Sequence, residues 1–301
     1  MHHVAINNIE WYQDFDLRDS QIRRFWSLEA MGITDTDTAP LPIKDTATFK
    51  SFSDSFRIED GRAVVSLPKK ENVIPADNQT NARRRLQSLT KRFDTNPEFR
   101  TMYENKMLDY ILKHQVEVAP PGPSEAPEFY LPHHAVKKEK HTAVKWRIVF
   151  DASSHEPGSP SLNDFLEMGP NLLPEIISIL LRLRLYKCAI LGDVSQAFLQ
   201  ITLDPADRDL TRFLWYRLVP NSQGSYDTTD DVTTYRFTRL PFGLTCSPFL
   251  LSATIRTLAT MYHDTYPTAS ALIDRNTYMD DFAASASHGD EVITIFREVS
   301  R

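Results

Sequence analysis

Residues 276–286 read Asn-Thr-Tyr-Met-Asp-Asp-Phe-Ala-Ala-Ser-Ala, with two aspartates side by side, Asp280 and Asp281. Alternating segments flank the pair, a pattern that predicts a β-hairpin with the acids at its turn. Two readings of the pair are open when it is taken alone. Asp is common in turns, so it reads as a polar hairpin tip. Adjacent aspartates also repel each other, which opens a second reading, a pair held beside a cation, though for an isolated pair the turn is the favoured one.

The rest of the chain bears on that choice. A third carboxylate, Asp193, ends the apolar run Cys188–Val194 within Leu191-Gly192-Asp193-Val194-Ser195-Gln196-Ala197-Phe198. The run reads as a strand buried on both faces, and such a strand has no reason to end in an acid unless something positive binds there. Strand-end and hairpin carboxylates from separate segments make an oxygen-rich site suited to Mg²⁺. Two such ions can stabilise both the attacking and the leaving oxygen of an in-line phosphoryl transfer. Two further blocks stand in order along the chain: Lys145-Trp146-Arg147-Ile148-Val149-Phe150-Asp151, and Leu240-Pro241-Phe242-Gly243-Leu244-Thr245-Cys246-Ser247-Pro248-Phe249.

Composition narrows the class. The chain has 301 residues, 41% hydrophobic and 25% charged, which excludes collagen, a disordered tail and a disulfide-stapled miniature. Lys plus Arg number 34 against 40 Asp plus Glu, a net charge of −6 that by itself argues against a nucleic-acid partner. The charge is uneven, however: residues 29–60 are acidic, whereas 83–92 and 137–147 are basic. Two cysteines, Cys188 and Cys246, without a CxxC pair exclude a disulfide framework and point to a reducing compartment; both read as small buried apolar residues. The N-terminus lacks a signal-peptide pattern. The longest apolar stretch, Leu172–Leu191, is interrupted by Glu175, Arg182, Arg184 and Lys187, and reads as a buried helix and strand rather than a membrane span. A soluble, intracellular chain is expected.

Residues 1–95 read as a loop-rich connector with short helices. A helix is expected near Asp19, with Ile22, Phe25 and Trp26 on one face, then loop over 29–60, a strand Arg62–Leu67 stopped by Pro68, and a helix Asn81–Phe93. Asn96-Pro97-Glu98 is a helix entry. Residues 119–127, with four prolines, are a loop or hinge. Short strands follow at Phe129–Leu131, Ala135–Lys137 and Trp146–Phe150, then a helix opened by Pro174. Arg212–Leu218 and Thr234–Leu240 form a hairpin around a polar loop Asn221–Asp231. Ser247-Pro248 starts another helix, and a last one begins at Gly289.

The ordered blocks resemble those of a reverse transcriptase: the nucleotide-contacting finger strand, the first palm carboxylate, the template-positioning turn and helix, and the YxDD hairpin. Within that class the chain is similar to the polyprotein of a BEL/Pao-type LTR retrotransposon. The supporting residues are Tyr130-Leu131-Pro132-His133-His134-Ala135-Val136, Val149-Phe150-Asp151-Ala152-Ser153, Leu240–Leu244, and a connector-like Ile22-Arg23-Arg24-Phe25-Trp26-Ser27-Leu28-Glu29.

The resemblance implies an α+β fold with right-hand fingers and palm over 96–301, the palm an antiparallel sheet backed by helices, without a thumb or RNase H. It implies an RNA-directed DNA polymerase in which Asp193, Asp280 and Asp281 are catalytic and hold two Mg²⁺ ions, or Mn²⁺ in their place. Arg147 would lie against the incoming triphosphate, with Lys140 as a second phosphate ligand and Lys137, Lys138 and Lys145 as rivals; taken without the resemblance, this basic run reads as a solvated strand face. Phe198 falls where a steric gate would exclude the ribose 2′-OH, though by itself it reads as a core residue. Phe242 stands where many LTR retrotransposons have Phe and retroviral enzymes often have Gln. Backbone amides of Val194, Ser195 and Gln196 are candidates for cradling phosphate.

The implied partners are an RNA or DNA template with primer and dNTPs, with no membrane. Protease, RNase H and integrase regions are expected to be absent. The implied location is the cytoplasm, in the element's virus-like particle, or the nucleus. His133-His134 invites a metal reading, but no Cys or acid lies at ligand spacing, so a structural role is expected. The alternative function is a truncated, inactive transposon remnant that binds nucleic acid or only folds.

Overall fold

The computed structural model describes residues 43–121, 127–140, 143–221 and 226–300, with side chains undescribed at 43–45, 138–140 and 143–145. The helix expected near Asp19 and the connector-like block 22–29 lie outside the described residues. By internal contacts Asp45–Arg301 form a unit distinct from Met1–Lys44. All the described elements belong to that unit, save the first two residues of its first helix.

The architecture is α+β, built from small, mainly antiparallel sheets and helices. Helix α1 (Ile43–Ser55) occupies part of the stretch expected to be loop. Its Thr and Asp residues are weak helix formers, which hid it. Tertiary packing decides: Phe49 and Phe52 meet the ring of Phe249 edge-on, at 6.4 and 5.9 Å. Strands β1 (Arg57–Glu59) and β2 (Arg62–Val65) pair antiparallel. Helices α2 (Gln79–Thr95) and α3 (Pro97–Leu112) follow, then β3 (Val116–Val118). Asn96 caps α3 through its side chain, which accepts from the Phe99 amide at 3.0 Å, as its Asn-Pro-Glu entry predicts.

Strands β4 (His133–Lys140) and β5 (Ala143–Phe150) form a separate antiparallel hairpin. After it come α4 (Leu162–Phe165), α5 (Ile176–Leu183), β6 (Cys188–Asp193), α6 (Ala197–Gln200), β7 (Thr202–Leu203) and a 3-10 helix, Pro205–Thr211. Strand β7 adds in parallel to β2. Strands β8 (Arg212–Pro220) and β9 (Tyr226–Phe237) pair with each other, and β9 with β3. β9 therefore runs through most of the segment expected to be polar loop. Thr228, Val232, Thr233 and Thr234 favour extended backbone, and each pairs across the ladder whatever its polarity. The chain ends with α7 (Ser247–Met261), α8 (Pro267–Asn276), β10 (Thr277–Tyr278), β11 (Asp281–Ala286) and α9 (Gly289–Val299). Most of the segment before Tyr278 is thus helix, and the hairpin's first strand has only two residues.

One large core joins elements from both sides of residue 95. Leu86, Leu89 and Phe93 of α2 share it with Tyr103, Phe150, Trp215 and Phe237. Tyr103 stacks on Trp215 at 5.2 Å, and Phe150 meets Phe237 edge-on at 4.8 Å. Each such pair adds about 0.5–1.5 kcal/mol beyond its area burial. Buried Asp207 fastens β2 to this core, accepting from the Leu67 amide at 2.6 Å and pairing with Lys69. The stretch expected to be a buried helix and strand differs from that expectation. Ile176, Ile177, Leu180 and Leu181 on α5 are exposed, and Leu191 is 73% exposed on β6, the edge strand of its sheet. Cys246 is buried, which pushes its thiol pKa up, while Cys188 is half-buried. Among the described residues no helix is long and apolar enough to cross a membrane.

His133 sits inside the core. Its Nε2–H donates to the Leu214 carbonyl at 2.9 Å, so its Nδ1 accepts from the Tyr103 hydroxyl at 2.5 Å. Burial pushes the imidazole pKa down to about 4 and the Tyr103 phenol well up, keeping both neutral. His133 is therefore a buried hydrogen-bonding residue. An unfolded chain protonates this histidine near 6.5, whereas the folded chain resists until about 4. Its contribution is complete above pH 6.5 and is lost as pH falls through that window. Urea unfolding is expected to show the stability gap between wild type and His133→Gln widest at pH 7 and narrower by about 3 kcal/mol at pH 4. A gap independent of pH would contradict the buried neutral ring.

Candidate active site

One strand register sets two carboxylates opposite each other, with a third in the adjoining turn. In the sheet ordered β10-β11-β6, Asp281 pairs directly with Asp193, and Phe282 with Gly192. Directly opposed residues of an antiparallel ladder point to one face with Cβ atoms roughly 5 Å apart, so Asp193 and Asp281 share a face. Phe282, one residue on, turns to the other face and is buried. Gly192 opposite leaves that ring room: a Cβ there would stand 3.9 Å from Phe282. Asp280 lies in the two-residue turn between Tyr278 and Asp281, which Met279 enters at φ +58°. The Val194 amide donates to the Asp280 carbonyl at 2.8 Å, tying the hairpin tip to the end of β6.

The chemistry of this donor set fits a divalent cation. Asp193 and Asp281 are exposed, Asp280 is half-buried, and none of the three carboxylates has an ion pair or hydrogen bond among the described residues. Like charges directly opposed on a ladder destabilise it unless a counter-charge is present. The oxygens are hard donors of the kind Mg²⁺ takes. Among the described residues no three such side chains stand together as a ready-made metal cage; the register brings two of them, Asp193 and Asp281, to one face.

Around it the chain forms two tight turns. After Asp193, Gln196 enters α6 at φ +53°, and buried Gln115 donates to its side chain at 2.9 Å. Gln200 Nε2 donates to the Ser195 carbonyl at 3.0 Å. The Val194 amide is spent on Asp280, whereas those of Ser195 and Gln196 have no such partner among the described residues. Phe198 is half-buried against the main core. Phe242 is half-buried in the turn before α7. That turn needs a glycine: Gly243 has φ +97°, and a Cβ there would meet the Phe150 carbonyl at 3.0 Å. Asn163 braces it, accepting from the Thr245 amide at 2.8 Å and donating to the Gly243 carbonyl at 3.2 Å.

Residues 96–301 match the family described as reverse transcriptase (RNA-dependent DNA polymerase). The chain belongs to that family. The reverse transcriptase-family chain is also similar to a solved structure, the foamy viral protease-reverse transcriptase dRH in complex with ds DNA. They share 19% identity over 64% of this chain, with a TM-score of 0.44. The chain spans 26% of that protein's length. Among curated proteins, none matches it.

In this reverse transcriptase-family chain, Asp193, Asp280, Asp281 and Val194 come together, as the register and the 2.8 Å hydrogen bond show. Arg147 lies on a different sheet, opposite Val136 on β4–β5, exposed and without an ion pair or hydrogen bond among the described residues. Lys140 pairs with Ala143 at the tip of that hairpin, and its side chain lies outside the described residues. Gln115 and Asn163 escaped the sequence reading, as did the Gln196 side chain. Only Asn163 carried a local signal, being inside the Ser161–Asp164 capping box.

Two outcomes are expected. Replacing Asp281 by Asn removes the cross-strand repulsion and stabilises the metal-free fold by roughly 0.2–1 kcal/mol. Mg²⁺ should then raise the wild-type melting temperature more than the variant's, and an equal rise in both proteins would contradict the metal-holding role. Gly243→Ala should cost about 1–3 kcal/mol in urea unfolding, because the turn forces a positive φ against the Phe150 carbonyl.

Proposed function

We propose that this chain synthesises DNA on a template, as the fingers and palm of a BEL/Pao-type LTR retrotransposon reverse transcriptase preceded by a connector over 1–95. The observation that carries the reading is the register pairing of Asp281 with Asp193 at a hairpin tip tied to β6 by the Val194–Asp280 hydrogen bond. The family match over 96–301 supports it. In this reading a dNMP passes from a dNTP to the 3′-OH of a primer annealed to an RNA or DNA template.

Asp193, Asp280 and Asp281 would hold two Mg²⁺ ions, or Mn²⁺. When bound, these supply charge stabilisation to the attacking and leaving oxygens of the in-line transfer. The protein's part is positioning. Arg147, exposed and unpaired among the described residues, offers a planar fork to the triphosphate, with Lys140 on the same hairpin. The Ser195 amide faces the nucleotide phosphates, and Val194 orients the hairpin. Phe198, braced on the core, limits room at the sugar, and the Phe242 turn supports the template base. The element's virus-like particle in the cytoplasm, or the nucleus, is the proposed location.

Primer extension on poly(rA)·oligo(dT) with Mg²⁺ or Mn²⁺ tests the reading. Asp280→Asn should lower incorporation roughly 100-fold or more, the scale lost when one group acting on the transition state is removed. Equal incorporation by the two proteins would overturn it.

A further inference from the structure

A second polar cleft, of about 270 Å³, opens between β2, β7 and the residues just after β9. It is lined by Arg62, Arg208 and Arg239 together with His114, Thr202 and Thr238, and none of the three aspartates of the candidate active site is among its walls. Burial first, then the charges of Arg62 and Arg208, push the Arg239 pKa down.

Nearby carboxylates offset part of this charge. Arg208 pairs with Glu117 at 3.2 Å, but Glu117 also serves Arg236 at 2.8 Å. Glu59, on the cleft wall, pairs with Arg57 at 2.5 Å; Asp60, also on the wall, sits in the β1–β2 turn. Arg62 and Arg239 have no carboxylate partner among the described residues. Arg62 rests on the Gln200 side chain at 2.9 Å, and Arg239 donates to the Thr202 hydroxyl. These neutral acceptors orient both forks without neutralising them. The Thr202 hydroxyl, accepting from Arg239, keeps its own proton to donate.

Guanidiniums that converge on one cleft with only partial counter-charge favour an anion between them. Planar forks of this kind match the oxygens of a tetrahedral phosphoryl group, two per fork. We infer that this cleft is a second anion site, which takes a phosphate group carried by either a free polyphosphate or the diester backbone of a nucleic-acid strand. It stands independently of the polymerase reading, because no carboxylate of the proposed metal site contributes to it.

The test is isothermal titration of the full chain without divalent metal. The probes are pyrophosphate and, separately, a single-stranded oligonucleotide lacking terminal phosphates. Wild type, Arg62→Gln/Arg239→Gln and Arg147→Gln are compared. The double substitution should weaken the responding probe by roughly tenfold or more, since each lost bond is charge-assisted, and Arg147→Gln separates out any share bound at the proposed triphosphate position. A response from pyrophosphate alone assigns the free polyphosphate, and a response from the oligonucleotide assigns the strand. Arg62 is exposed, so Arg62→Gln alone serves if the double variant does not fold. The inference is overturned if neither probe binds wild type, if affinity survives the Arg62 and Arg239 substitutions, or if it falls only with Arg147.

Discussion

The antiparallel ladder between β6 and β11 is the constraint on which the proposed chemistry depends, because side chains alternate faces with a period of two. A slip of one residue would send Asp281 to the face now held by Phe282 and leave Asp193 facing nothing. Several contacts fix the register. Phe282, Ala284 and Ala286 are buried in a small second core with Ile295 of α9, so their face cannot turn outward. Gly192 leaves space under the Phe282 ring, and Met279 at φ +58° closes the turn in two residues. On α5, Arg182 donates to Asn276 at 2.7 Å, and its carbonyl accepts from Ser285 at 2.7 Å, clasping both ends of the hairpin.

The rest of the molecule holds the segments around that ladder. The main core runs from Phe52 to Ala253 and contains His133, buried and neutral, among the rings of Tyr103, Phe150, Phe213 and Trp215. The Phe150 carbonyl at the end of β5 forms one wall of the Gly243 turn, so the β4–β5 hairpin and the start of α7 are coupled by a backbone contact. Asp207, nearly fully buried, links Leu67 and Lys69 to the 3-10 helix that leads into β8. Loss of that carboxylate would orphan a buried amide, a costly kind of defect.

Charge is distributed by the same logic. The net −6 averages acidic stretches with cations that are only partly neutralised within the fold. On α2, Arg84 pairs with Glu156 and Arg85 with Asp151, while Arg92 lies 4.1 Å over the ring of Phe99. Part of the basic run at 83–92 thus braces the protein itself. Arg147, Arg62 and Arg239 are not matched in this way among the described residues. A global charge count therefore misreads a chain whose uncompensated cations and carboxylates stand in separate places.

Much of the site was legible because its signals are local. Asp280-Asp281 at a turn, Asp193 at the end of an apolar run and Asn96-Pro97 before a helix each follow from the backbone needs of a few residues. Helix α1 and the length of β9 were not legible, since distant rings and a partner strand override weak local propensity there. Nor was the exposure of Leu191 and α5, because an apolar run has the same composition at a sheet's edge as in its middle. The amino-acid sequence by itself determined which residues carry charge, where turns must fall and to which family the chain is similar. Only the tertiary structure decided that Asp281 faces Asp193, that Val194 spends its amide on Asp280, and that Arg62, Arg208 and Arg239 line one cleft. Register and convergence join residues far apart in the chain, and no local pattern encodes their meeting.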